Sequence, residues 1–204
     1  KEWSKKNNYP ISIKLTTNQP SGTKSLLSGS TPGVHPAFSE YYIRRVQMAS
    51  NDSLISYCKD QGYYVEYVKN LDGTDNHNTM VVEFPCYAGK DVLLAKNVSA
   101  INQLEMIKKM QTLWADNAIS CTIYYNNEEL KVIKEWLSKN YDNFIKSVSF
   151  VLHHEHGFKQ PPYQEITKER YEEISSKIKE IKEIKNGDGE LFPTECIGNS
   201  CPIK

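Results

Sequence analysis

The 204-residue chain lacks an excess of charge of either sign, since 25 Lys plus Arg stand against 25 Asp plus Glu. With no broad cationic field to hold nucleic acid or an anionic membrane, neither is expected as a partner, and ligands must be recognised locally. The chain also lacks any unbroken apolar run of the ~18 residues that a membrane-spanning helix needs. Glycine and proline are sparse, at 10 and 9, which excludes a collagen-like repeat, while 39% apolar residues exclude a chain disordered throughout. Neither an initiating Met nor an apolar leader is present. The sequence opens on Lys1, and we expect it to be cut from something longer. What remains is a length that suits one domain with a sizeable core.

Five cysteines, Cys58, Cys86, Cys121, Cys196 and Cys201, make an odd count at uneven spacing. That pattern fits a reducing cytoplasm better than a secreted disulfide framework, so a cytoplasmic location is expected. Cys196 and Cys201 stand apart, as Cys-x4-Cys within the last nine residues.

Periodicity sets the elements. Ile11, Ile13 and Leu15 alternate with polar residues as a half-buried strand does, stopping at Asn18-Gln19-Pro20, and a short helical turn is expected around residues 25–27. Further strands are expected over 41–48, 63–68 and 79–84, with a helix over 53–61 and a turn at Asp72-Gly73. Helix and strand then alternate. Ser99 caps a helix carrying Ile101, Leu104, Ile107 and Met110, which leads to a strand over 119–125. A second helix, with Leu130, Ile133 and Leu137 on one face, leads to a strand over 147–152. Such alternation favours parallel strands with helical crossovers, so the class is α/β with an antiparallel excursion near 60–85. A last helix, capped by Thr167 and rich in Lys and Glu, is expected to run to about residue 184. Asn186-Gly187-Asp188-Gly189 then reads as a flexible linker, giving a main unit over 1–185 and a tail over 186–204.

Two places could carry chemistry. In Gln19-Pro20-Ser21-Gly22-Thr23-Lys24-Ser25 a strand ends in a small, hydroxyl-rich turn that opens a helix. Gly lets backbone approach a ligand, and free N–H groups with Ser and Thr hydroxyls suit a phosphate. An ordinary capped turn fits the same residues, because the Gly-rich P-loop pattern is absent. In the tail, two thiols five positions apart can close a small ring and reduce another disulfide by exchange, or be two free thiols. Zinc would need further ligands that the tail does not supply, and no metal is expected. Cys121 shares a strand face with Ile119 and Ile123 and belongs to the core, whereas Cys58 and Cys86 have no assigned role. His153-His154-Glu155-His156 reads as a polar loop, since consecutive residues at a strand end point in different directions. The charge run over 177–185 reads as a solvated helix face.

Taken together, Gln19 to Leu27, Thr31-Pro32-Gly33-Val34-His35-Pro36 and Tyr41-Tyr42-Ile43-Arg44-Arg45-Val46 closely resemble the C-terminal part of ribonucleotide reductase large chains. Trp114-Ala115-Asp116-Asn117-Ala118-Ile119-Ser120, Gly157-Phe158-Lys159-Gln160-Pro161-Pro162-Tyr163 and the ending Cys201-Pro202-Ile203-Lys204 narrow this. They resemble the adenosylcobalamin-dependent, class II ribonucleoside-triphosphate reductases, over essentially the whole chain. The resemblance implies the C-terminal part of a ten-stranded α/β barrel with a flexible redox tail. It implies that Pro20, Ser21, Gly22, Thr23, Lys24 and Ser25 hold the substrate's phosphates. It also implies that Cys196 and Cys201 re-reduce an active-site disulfide and are themselves reduced by thioredoxin. Adenosylcobalamin would be the cofactor and the complete enzyme a monomer. Class I chains carry adjacent tyrosines on the strand that here reads Ser147-Val148-Ser149-Phe150-Val151, and that pair is missing, which fits a local radical source. The family's finger loop with its thiyl-radical cysteine has no match in these residues, so this chain alone is not expected to be catalytic. No residue is assigned to the cobalamin. The rival readings are a diphosphate-reducing or class I large-chain fragment, and a non-enzymatic phosphate-binding α/β module with a thiol-bearing tail.

Overall fold

A computed structural model describes residues 1–18, 25, 30–153 and 159–181. After a short helix α1 (Glu2–Lys6) the chain runs extended to Asn18 beside residues 114–120. Asn18 bridges Ile119 in the parallel sense, yet the expected strand at Ile11, Ile13 and Leu15 is not formed. Ile13 is 92% exposed and Leu15 61%. The alternation is real, but no described layer lies over it. Apolar periodicity says which face seeks cover and is silent on what supplies it.

Two layers of structure follow. β1 (Tyr41–Ala49), β2 (Val65–Lys69), β3 (Asp75–Tyr87) and β6 (Tyr163–Glu165) form an antiparallel sheet in the order β2-β3-β1-β6. β1 and β3 stay in register from Tyr41 opposite Tyr87 to Ala49 opposite Thr79. The β2–β3 connection turns at the expected place, where the Asp72 carboxylate accepts from the Thr74 N–H and hydroxyl. Helix α2 (Ser53–Asp60) is capped by Asp52, whose carboxylate accepts from the Leu54 N–H at 2.9 Å. Its Ile55 and Cys58 pack on Met80 and Val82 as one core cluster.

The second core belongs to the strand-helix alternation. Helix α3 (Ala100–Leu113), capped by Ser99 as expected, leads to β4 (Thr122–Tyr125), and α4 (Leu130–Phe144) leads to β5 (Ser149–Leu152). β4 and β5 are parallel, Thr122 opposite Ser149. Leu104, Ile107, Ile119, Ile123, Ile133 and Trp136 meet between the helices and these strands. The inward face of α4 is therefore Ile133 and Trp136, with Leu137 partly buried, whereas Leu130 is 38% exposed. Trp136 reaches inward because its indole N–H finds the Glu105 carboxylate at 2.5 Å. One carboxylate ties the layer together: Glu129 accepts from the Ala100 N–H at 2.7 Å, at the start of α3, and from the Asn126 N–H at 3.0 Å.

Helix α5 (Lys168–Lys177) begins on the Thr167 cap but ends well before residue 184. Its end is tertiary in origin. The Lys179 N–H bonds the Gln61 carbonyl at 2.9 Å, and Ile181 packs against the Cys58 cluster. Gly62 permits this approach: at φ +88°, an added Cβ would lie 2.7 Å from the Lys177 carbonyl oxygen. The linker and tail over 186–204 lie outside the described residues.

Candidate functional site

The extended segment that ends at Asn18 is held to the start of β4 by a ladder of polar contacts. The Leu15 N–H donates to the Asp116 carboxylate at 3.0 Å, the Asn117 N–H to the Thr16 carbonyl at 2.9 Å, and the Ser120 N–H to the Asn18 carbonyl at 3.4 Å. The Leu15 N–H, with the Thr16 backbone and hydroxyl, holds Asp116 below the usual carboxylate range against a smaller desolvation effect. Pro20, Ser21, Gly22, Thr23 and Lys24 lie outside the described residues. Ser25 is half-buried and helical, and its carbonyl accepts from the Ser30 N–H at 2.9 Å.

Along β4, side chains bond the edge that faces away from β5. The Thr122 N–H donates to His35 Nε2 at 2.9 Å, while His35 Nδ1 lies 2.9 Å from the Pro32 carbonyl. Because Nε2 must be an acceptor, the ring is the neutral tautomer with its proton on Nδ1, donated to Pro32. Two residues further along, the buried Gln103 reproduces a strand neighbour. Its Oε1 accepts from the Tyr124 N–H at 3.1 Å, and its Nε2 donates to the Tyr124 carbonyl at 2.9 Å and to the Val98 carbonyl at 3.2 Å. The sequence reading missed both residues in this role. His35 was within its motif, but neither periodicity nor composition marks a side chain that completes a sheet edge.

Residues 37–39 then reach across to the antiparallel sheet. Ala37 bridges Leu94, and the Ser39 hydroxyl donates to Glu165, which also pairs with Lys96 at 3.0 Å. Burial raises the Glu165 pKa, but the bonds from Lys96 and Ser39 outweigh it and leave the carboxyl below its ordinary value. Phe38 sits at the centre of an aromatic group, parallel to His153 at 5.7 Å and tilted against Tyr124 and Tyr163. The Arg44 guanidinium lies 4.6 Å over the Tyr163 ring. A cleft of about 170 Å³ opens here, with Ser30, Thr31 and Pro32 on one wall and Phe38, Tyr42 and Cys86 on the other. Burial pushes Tyr124 up to about 12 and raises Tyr42, Tyr163 and Cys86 as well. At neutral pH the cleft therefore offers ring faces, hydroxyls and a thiol rather than a general base.

His153 departs from the polar loop expected of it. It is buried at the end of β5, with its backbone N–H on the Tyr125 carbonyl at 3.0 Å. His154, Glu155 and His156 lie outside the described residues, among which no group of three metal-binding side chains occurs.

Cys121 is core, as its strand face implied, and Cys58 is buried. Burial pushes the Cys121 thiol up to about 11, so at pH 8 only about one molecule in a thousand carries its thiolate. We expect alkylation of Cys121 in the folded protein at pH 8 to be slower than in denaturant by two orders of magnitude or more, read by mass spectrometry of the labelled peptides. Equal rates would show that the core opens at this strand. Cys196 and Cys201 lie outside the described residues.

Residues 12–151 match the family described as ribonucleotide reductase, barrel domain. The chain is similar to an adenosylcobalamin-dependent ribonucleoside-triphosphate reductase of Euglena gracilis, 39% identical over 83% of this chain and 23% of the relative. A reductase of the same name from Lactobacillus acidophilus is 35% identical over 95% of this chain and 27% of its own length. Among solved structures it is similar to a B12-dependent, class II ribonucleotide reductase. That match has a TM-score of 0.66 and 33% identity, and covers 87% of this chain and 24% of the other. The chain thus spans about a quarter of the length of the relatives it matches.

Proposed function

Because the chain belongs to the ribonucleotide reductase barrel-domain family, we propose that it is the C-terminal part of an adenosylcobalamin-dependent enzyme. That enzyme reduces ribonucleoside triphosphates to 2'-deoxyribonucleoside triphosphates by thiyl-radical chemistry. The observation that carries this is the match at 33–39% identity, over most of this chain, to relatives of one name and to a class II structure. The make-up of β5 supports it, since Ser149-Phe150-Val151-Leu152 offers no adjacent tyrosines for long-range radical transfer. In this reading the described α/β unit is part of a ten-stranded barrel, and residues 1–185 are its C-terminal portion. Thioredoxin as reductant, a monomeric complete enzyme and a cytoplasmic setting go with it.

Two tasks fall to this chain. Pro20, Ser21, Gly22, Thr23, Lys24 and Ser25 bind the substrate's phosphates, with backbone N–H groups supplying most donors. Cys196 and Cys201 deliver the electrons. Their two thiols are oxidised to a disulfide as the active-site disulfide gains two electrons and two protons and returns to two thiols, and thioredoxin's dithiol reverses the oxidation. The cobalamin is a different matter. Two clefts among the described residues, of about 170 and 270 Å³, are each too small for a corrin. Neither task runs through the cobalamin.

The phosphate turn has a direct test in the complete protein. Gly22→Val is expected to raise substrate KM more than Ser21→Ala or Thr23→Ala does. A Cβ obstructs close backbone approach, whereas one neutral hydroxyl contributes only ~0.5–1.5 kcal/mol. Unchanged triphosphate affinity in Gly22→Val would remove this turn from the phosphate site. Failure of the complete protein to reduce ribonucleoside triphosphates with adenosylcobalamin present would overturn the function itself.

A further inference from the structure

We propose that Gln160 guards the free edge of β2, closing it against pairing with β2 of a second copy of this chain. The inference stands apart from the function proposed above. Its basis is which way the β2 backbone faces. The Glu83 N–H bonds the Tyr64 carbonyl and the Asn70 N–H bonds the Thr74 carbonyl, so Tyr64, Glu66 and Asn70 turn toward β3. Val65, Tyr67 and Lys69 therefore turn their N–H and C=O groups outward, where β2 is the last strand of its sheet. Such an edge is a template for a further strand. Tyr64, 57% exposed, and the fully exposed Leu71 flank it with apolar surface.

The Gln160 side chain takes this edge in the manner of a neighbouring strand. Its Nε2 donates to the Tyr67 carbonyl at 3.1 Å and its Oε1 accepts from the Lys69 N–H at 2.8 Å, across the register shift between Tyr67 and Val68. Nε2 also donates to the Glu66 carboxylate at 2.7 Å, and since a carboxylate only accepts, this contact sets which way the amide faces. The backbone that follows is clasped to β1. The Arg45 guanidinium, paired with Glu83 at 2.6 Å, donates to the Pro161 carbonyl, and Arg44 donates to that of Pro162. Three residues past Gln160, β6 begins and covers the edge of β1 over Tyr42–Arg44. One short segment thus covers both outer edges of β2-β3-β1, one by its backbone and the other by a single side chain.

In the complete protein, Gln160→Ala is expected to associate, its mass in sedimentation rising with concentration above the parent's toward that of two copies. Amide exchange at Lys69 in dilute solution should quicken about tenfold, as loss of one hydrogen bond implies. A second change locates the contact. Val65→Pro puts a ring where an outward N–H was, at the first residue of β2, a place that tolerates proline. The double variant, Gln160→Ala with Val65→Pro, should keep the parent's mass at every concentration. A Gln160→Ala variant that stays at the parent's mass overturns the proposal, however fast Lys69 exchanges. So does a double variant that still associates, since the contact would then lie elsewhere or follow unfolding. Reduction of triphosphates enters neither readout, so failure of the proposed function and failure of this guard are separately visible.

Discussion

In the complete protein, Cys196→Ser or Cys201→Ser is expected to abolish turnover supported by thioredoxin while leaving a single turnover of prereduced enzyme intact. The reason is the order of thiol exchange. One thiolate attacks the active-site disulfide and forms a mixed disulfide, which only a second thiol on the same tail resolves at useful effective concentration. With either sulfur replaced, the first reduction stalls or the product cannot be passed outward. A small dithiol that enters the active site by itself should restore multiple turnover to both variants. Sustained thioredoxin-dependent turnover in both would show that electrons reach the active site by another route.

Gln103→Leu is expected to cost on the order of 3 kcal/mol in stability, although leucine is the better helix former and nearly fits the space. Gln103 is 6% exposed, and its amide is the partner of the Tyr124 N–H and C=O and of the Val98 C=O. Leucine leaves those three groups facing a side chain that offers no hydrogen bond. Each buried group without a partner costs about 1–3 kcal/mol, and some recover partial satisfaction from their surroundings. Gln103→Glu should not rescue: it keeps an acceptor for the Tyr124 N–H but turns a carboxylate oxygen onto two carbonyls. Denaturant unfolding together with amide exchange at Tyr124 reads both effects. Parental stability in the Leu variant would mean that water takes over the strand edge.

These residues also show where sequence reading reaches its limit. Local rules located the caps at Ser99 and Thr167 and the turn at Asp72-Gly73, because a cap or turn is decided within four or five residues. Periodicity located α3, α4, β1 and β4, and it placed Cys121 in the core. It did not distinguish Leu130 from Trp136 as the inward residue, since that choice depends on Glu105 being across the way to accept the indole N–H. Nor did it show that the apolar side chains of Ile13 and Leu15 stand exposed, that His153 is buried, or that α5 stops at Lys177. Each of those is settled by residues distant in the chain. Gln103 and His35 are the extreme case, for a polar residue on a helix or loop looks the same in sequence whether it faces solvent or a strand edge. The phosphate role proposed for residues 20–25 and the redox role proposed for Cys196 and Cys201 draw their strength from the resemblance to a family, and local spacing by itself left each with an ordinary alternative.

The docking of the chain beyond α5 onto α2 has a further consequence, one of reach. Lys179 on Gln61 and Ile181 in the Cys58 cluster make an anchor on the antiparallel sheet, and the bare backbone of Gly62 is what lets it seat. Cys196 lies fifteen residues beyond Ile181, a stretch that spans at most roughly 50 Å when fully extended. Every partner that Cys196 exchanges with, inside the enzyme or outside it, must therefore come within that radius of one point on the surface. In the redox role proposed for the tail, the anchor would limit, as much as the sulfurs do, which disulfides come within reach.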